Sequence, residues 1–173
     1  MRTIIIVFTI ISASLFSFFN NRNYDAKTIS KKIVSCDSTP VLNKQIVDFV
    51  KTKIGKKVGK GECWDVAAEA LNTVGAKWDG NYKFGNEVNY KKDCVFPGDI
   101  MQFEGVTLKY AIGDKRFMEK LAHHTAIIYE VKGKEEFVLA DQNTGRSGRK
   151  VGISPLNLND LTNGKFKVFR PTY

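Results

Sequence analysis

Cys63 stands in Lys-Gly-Glu-Cys-Trp-Asp-Val-Ala-Ala-Glu-Ala-Leu, where a glycine-rich basic loop from Gly55 to Gly61 turns into a predicted helix. Val66, Ala67, Ala70, Leu71 and Val74 recur at helical spacing after it, and Gly75 can end the run. A thiol in the first turn of a helix lies near unpaired backbone N–H groups and the positive end of the dipole, which favours the thiolate. The same N–H groups can hold an oxyanion. Without a base, such a cysteine reads most simply as a small buried hydrophobe. What points to a nucleophile is His124, far along the chain, followed on the next predicted strand by Asp141, Gln142 and Asn143.

His124-Thr125-Ala126-Ile127-Ile128-Tyr129-Glu130-Val131 and Phe137 to Asn143 flank a turn centred near Gly133-Lys134. Counting outward from that turn sets His124 opposite Asp141, Gln142 or Asn143, depending on the loop type. Asp141 and Asn143 share a face in either register. A catalytic imidazole needs a partner that fixes its tautomer and orientation, and a carboxylate or amide on the adjacent strand supplies one. His123, the other histidine, points to the opposite face and reads as a solvated neighbour.

The elements that must position these residues follow from pattern. Thr39-Pro40 opens a helix capped by Ser38 or Thr39, with Leu42, Ile46, Phe49, Val50 and Ile54 on one face and Gly55 at its end. The Cys63 helix comes next, then an aromatic loop carrying Trp78, Tyr82 and Phe84. After Pro97-Gly98, where Asp99 reads as turn chemistry, strands are predicted over 99–104, 124–131, 137–143, 151–154 and 166–170. Helices first and an antiparallel meander after describe an α+β domain.

Residues 4 to 19 form an apolar run behind Arg2 and before Asn20-Asn21-Arg22-Asn23, the layout of a secretory signal. The run is shorter than the ~20 apolar residues of a comfortable span, so a signal over 1–22 is preferred to an N-terminal anchor. Residues 23–37 read as a polar basic linker and 38–173 as one domain. The net charge of +9 is spread without aromatic interleaving, which argues against nucleic acid. For an exported chain it suits an anionic wall or membrane face, or simply a solubilising surface. Three cysteines is an odd number in such a chain. A Cys36–Cys94 bridge that leaves Cys63 free accounts for it; three reduced thiols are the alternative. Neither the cysteines nor the histidines have zinc-site spacing, and Lys56-Lys57-Val58-Gly59-Lys60 offers no anionic oxygen ligands for calcium, so no metal or cofactor is expected.

Gly61-Glu62-Cys63-Trp64-Asp65, Phe96-Pro97-Gly98-Asp99-Ile100, His124-Thr125-Ala126-Ile127-Ile128 and Asp141-Gln142-Asn143, in that order, resemble papain-like cysteine amidases and peptidases of the NlpC and CHAP type. The resemblance implies N-terminal helices packed on an antiparallel sheet. It implies Cys63 as nucleophile, His124 as general base, Asp141 as the orienting acid and Asn143 as the polar group behind it. Gln142 and Glu62 would be accessory polar groups. Trp64, Trp78, Tyr82 and Phe84 are candidates for a substrate groove, and Trp78, Tyr82 and Phe84 could equally close the core over the Cys63 helix. Glu62 departs from the glutamine that CHAP-type members often carry as an oxyanion contributor, which leaves the Cys63 N–H as donor. With the N-terminal apolar run, the expectation is an exported, monomeric cysteine hydrolase cleaving amide bonds; the resemblance implies a peptidoglycan stem peptide, or the amide joining peptide to glycan, as substrate. The alternatives are an inactive binding or structural protein on the same fold and an acyltransferase acting on a lipid or small amide.

Overall fold

The structure, a computed structural model, describes residues 36–173; the expected signal over 1–22 and all but the last two residues of the expected linker lie outside the described residues. Helix α1 (Val41–Lys53) buries Leu42, Asn43, Ile46 and Val50. It begins after Pro40 rather than at it. Pro40 is extended (φ −55°, ψ 148°), no side chain caps the start, and the Pro40 carbonyl accepts from Lys44 N–H at 3.1 Å. The expected cap by Ser38 or Thr39 is therefore replaced by backbone alone. Helix α2 (Cys63–Thr73) buries Val66, Ala67, Ala68, Ala70 and Leu71, the spacing that makes one apolar stripe. Among the described residues no helix is long and apolar enough to cross a membrane.

Six strands follow: β1 (Asn86–Val88), β2 (Ile100–Ile112), β3 (Lys115–Val131), β4 (Glu136–Asp141), β5 (Gly152–Asn157) and β6 (Leu161–Arg170). They form one sheet in the order β1-β6-β2-β3-β4-β5, with every strand pairing antiparallel. Strands β2 and β3 run much longer than their sequence patterns suggested, because each continues into a shared hairpin paired from Ile112–Lys115 back to Ile100–Ile127.

The period of two along each strand divides the interior into two clusters. Ile100, Ile127, Ala140 and Phe169 meet the apolar faces of α1 and α2 together with Val58, Phe84 and Val151. Met101, Phe103, Ala126, Ile128, Phe137, Leu139 and Val168 face the other way, where Tyr90, Val95 and Leu158 pack over them. Cys36 and Cys94 are disulfide-bonded with a Cα separation of 5.6 Å, tying the start of the described chain to the loop before β2.

The Pro-Gly-Asp turn at the head of β2 does more than turn the chain. Gly98 has φ 88° and lies so close to α1 that a Cβ would fall 2.4 Å from the Asn43 carbonyl oxygen. Asp99 is fully buried and accepts from Asn43 Nδ2 (2.8 Å), Phe96 N–H (2.9 Å) and Arg170 Nε and Nη2 (3.1 and 2.7 Å). One carboxylate thus joins α1, β2 and β6. Arg170→Ala, which leaves that carboxylate buried without its cation, should cost about 3 kcal/mol of unfolding free energy in urea titration. A loss under about 1 kcal/mol would mean that Asp99 is stabilised by its neutral donors alone.

Candidate active site

Strand β4 stops at Asp141, while β3 runs on past it toward its own N-terminus; their last pair is Ile127 with Ala140. The stretch of β3 around His124 is therefore released from its neighbour, and the start of α2 packs there. Cys63 Sγ lies 3.9 Å from the His123 carbonyl oxygen and interacts with Thr125 N–H and with the His124 imidazole. The thiol occupies the edge that a longer β4 would have covered.

His124 and Asp141 are both buried, and Nε2–H of His124 donates to Asp141 Oδ2 at 2.7 Å. The pair is diagonal across the strands, within reach of side chains on one face. With Nε2 engaged, Nδ1 is the ring atom available to Cys63. Burial alone would lower the His124 pKa, but the bonds and charges of Asp141 and Cys63 raise it to about 9. Burial alone would likewise push the Cys63 thiol up; His124, together with the N–H groups of Thr125 and Trp64, brings it below its ordinary value. A thiolate–imidazolium pair is the favoured state between the two titrations.

The loop into α2 is fixed from the same strand end. Gln142 is fully buried. Its Oε1 accepts from Val58 N–H at 3.1 Å, and its Nε2 donates to the carbonyls of Val58 and Glu62 at 2.9 and 2.8 Å. It takes no part in orienting His124. Glu62 caps the helix through backbone: its N–H donates to Asp65 Oδ2 at 2.9 Å, and its carbonyl accepts from Asp65 N–H at 3.1 Å. The Glu62 carboxylate turns to Arg149 Nη2 and Asn143 Nδ2, each at 2.8 Å. Asn143 has φ 65°, so the chain leaves the strand there and its amide reaches Glu62 instead of backing Asp141. The shared face expected for Asp141 and Asn143 is lost at that bend.

A cleft of about 390 Å³ opens at Cys63, walled by Met118 to His124 on one side and by Asn143, Thr144 and Gly145 on the other. The aromatic residues expected along a groove lie elsewhere. Phe84 is in the core, while Trp64 and Trp78 pack against that core and donate to the Asn81 carbonyl (2.8 Å) and Asn72 Oδ1 (3.0 Å). Only Tyr82 is exposed, edge-on to His123 at 4.2 Å between ring centres. His123 itself bonds Glu104 Oε2 through Nδ1 at 2.8 Å, on the face away from His124. No signal in the sequence marked that contact, because Glu104 and His123 lie on strands whose pairing follows only from the full hairpin. Among the described residues no cluster of His, Cys, Asp and Glu could hold a metal ion.

Residues 38–173 match the family model of the AIM3/BBC1 cysteine proteinase-fold domain. The chain belongs to that family. Its two helices on a six-stranded antiparallel sheet are accordingly a cysteine proteinase-like fold. A relative in Debaryomyces hansenii, altered inheritance of mitochondria protein 3, is 27% identical over 169 residues, covering 83% of this chain. The chain spans 18% of that relative's length. Two crystal structures of Ly7917 are distantly alike. The one solved with the hydrolysing product of MDP is 15% identical, covers 75% of this chain and 62% of its own, and superposes with a TM-score of 0.46. The other is 16% identical, covers 76% and 62%, and gives 0.44.

Two measurements test the site as drawn. The rate of Cys63 alkylation by iodoacetamide should reach its plateau below the pH at which an ordinary thiol titrates. Asp141→Ala removes what holds His124 protonated, so the Cys63 titration should move up and alkylation near about pH 6.5 should slow by roughly fivefold or more. An unchanged profile would detach Asp141 from the thiol. Gln142→Leu should cost about 2 kcal/mol of stability, since it leaves the buried Val58 N–H without its acceptor and removes one of the two donors to each of the Val58 and Glu62 carbonyls. Denaturation of that variant at the native midpoint would contradict this.

Proposed function

We propose that this chain is a cysteine hydrolase that cleaves amide bonds with Cys63, His124 and Asp141. The observation that carries the reading is the buried His124–Asp141 bond of 2.7 Å beside a helix-terminal thiol of lowered pKa. Structural ion pairs also shift pKa values, but they are seldom joined to a nucleophile at the floor of an open cleft.

In this reading the Cys63 thiolate attacks the carbonyl carbon and the carbonyl electrons move to oxygen. The N–H at the start of α2 faces the developing charge. As the tetrahedral adduct collapses, His124 Nδ1–H protonates the departing amine and the acyl group remains on sulfur as a thioester. Water then gives a proton to His124, adds to the thioester carbon and releases the acid, returning sulfur as thiolate. Asp141 keeps Nε2 protonated throughout, which leaves Nδ1 as the atom that exchanges protons. With its carboxylate held by Arg149 and Asn143, Glu62 is directed away from the oxyanion position.

The substrate class follows from resemblance to NlpC and CHAP-type enzymes. It is a peptide amide, with a peptidoglycan stem peptide as the first candidate and export through the N-terminal apolar run as its route there. The test is incubation of the full chain with purified sacculi and with a set of short peptides, identifying products by mass. Cys63→Ala should abolish release, and His124→Ala should match it within about tenfold. Asp141→Ala should keep a measurable fraction, since an orienting residue is the least indispensable of such a set. Hydrolysis that survives in Cys63→Ala would end the proposal.

A further inference from the structure

Past the pair Leu108–Leu161, β6 departs, and residues 109–118 of β2 and β3 pair only with each other among the described residues. They form a two-stranded ribbon reaching about 15 Å beyond the sheet. Ribbons of this kind are marginal in water unless a surface covers them. This one is apolar where it should be most polar: Ile112 and Met118 are each 61% exposed and Phe117 is 39% exposed.

The pairing decides what could cover it. Tyr110 lies opposite Phe117 and Ile112 opposite Lys115 on one face, while Lys109 opposite Met118 and Ala111 opposite Arg116 make the other. Apolar side chains therefore project from both faces. A ribbon with apolar side chains on both faces and cationic ones beside them suits the boundary of an anionic bilayer, where buried apolar area and charge attraction both add to binding. Lys109, Lys115, Arg116 and Lys120 outnumber Asp114 and Glu119 along the same segment, so its charge complements anionic head groups. Asp114 and Lys115 at the apex limit the depth to the head-group layer.

We propose that the β2–β3 ribbon docks this protein on an anionic phospholipid surface, with Ile112, Phe117 and Met118 at the boundary between head groups and acyl chains. Met118, Glu119 and Lys120 at the ribbon's base also wall the Cys63 cleft. Docking therefore brings the cleft to substrates presented at that surface. The placement of substrate rests on the hydrolase reading; the docking does not.

The experiment is co-sedimentation of the full chain with vesicles of phosphatidylcholine alone and of phosphatidylcholine with one quarter phosphatidylserine, at low and high salt. The native chain should partition onto the anionic vesicles about tenfold better than onto neutral ones, with the preference lost in high salt. Ile112→Ser with Met118→Ser, and separately Lys115→Glu with Arg116→Glu, should each lower anionic partitioning by about tenfold. Both pairs are solvent-exposed, so the fold should survive, as far-ultraviolet circular dichroism would verify. Any binding by the N-terminal apolar run is common to every arm. Cys63→Ala should bind as the native chain does, so loss of turnover and loss of docking are read separately. Native-level binding by both ribbon variants would overturn the proposal. So would equal binding to neutral and anionic vesicles, or a native dimer that the ribbon variants convert to monomer.

Discussion

Two consecutive side chains at the end of β4 hold the two halves of the site in register. Asp141 turns to one side of the strand and fixes His124; Gln142 turns to the other and clasps the backbone of Val58 and Glu62, one residue ahead of Cys63. The period-two alternation of a strand sends them in opposite directions, so a single strand end positions imidazole and thiol relative to each other. The spacing between the Cys63 thiol and the His124 imidazole is thus set by rigid sheet geometry and not by the conformation of the glycine-rich loop. That is the support a catalytic constellation requires.

The electrostatics follow from that placement. A carboxylate and an imidazole removed from water are costly unless they satisfy each other, and the 2.7 Å bond does so while leaving Nδ1 free to meet sulfur. Burial opposes charge on both His124 and Cys63, yet the pair outweighs it, because each group's charge is the other's counterion. Glu62 would be an unwelcome neighbour to any anion forming at Cys63. Arg149 and Asn143 draw its carboxylate aside, so the residue serves as a helix cap without adding charge to the cleft.

Much of this arrangement was legible in the sequence, for physical reasons. The apolar stripe of Val66, Ala67, Ala70 and Leu71 could belong only to a helix, and the β-branched run after His124 only to a strand, so the order of layers followed. The hairpin count brought His124 to the neighbourhood of Asp141 because strand geometry is regular. What the pattern hid is equally specific. Val106, Leu108, Tyr110 and Ile112 do recur at strand period, but residues 115–120 mix charged and apolar side chains because both faces of the ribbon meet solvent there, so no periodicity announces the returning strand. Asn143 adopts a left-handed conformation that no residue pattern signalled, which removed it from Asp141's face. Gln142 was a candidate neighbour of His124 and Asn43 carried no signal, and only tertiary packing makes each a buried bond-maker. Phe84 and the two tryptophans looked like groove residues because a loop of aromatics can line a cleft or close a core, and here it mainly closes the core.

The central claim is that Asp141 and Cys63 together keep His124 charged at neutral pH. Nitrogen-15 chemical shifts of the His124 ring report this directly, because protonated and unprotonated imidazole nitrogens are widely separated. In the native protein near neutral pH both ring nitrogens should carry protons, with loss of the Nδ1 proton only as pH approaches about 9. In Cys63→Ala, with the anionic partner gone, that loss should come at lower pH. A native spectrum with an unprotonated Nδ1 at neutral pH, unchanged in Cys63→Ala, would contradict the account: the thiol and the imidazole would then be neighbours without being a pair.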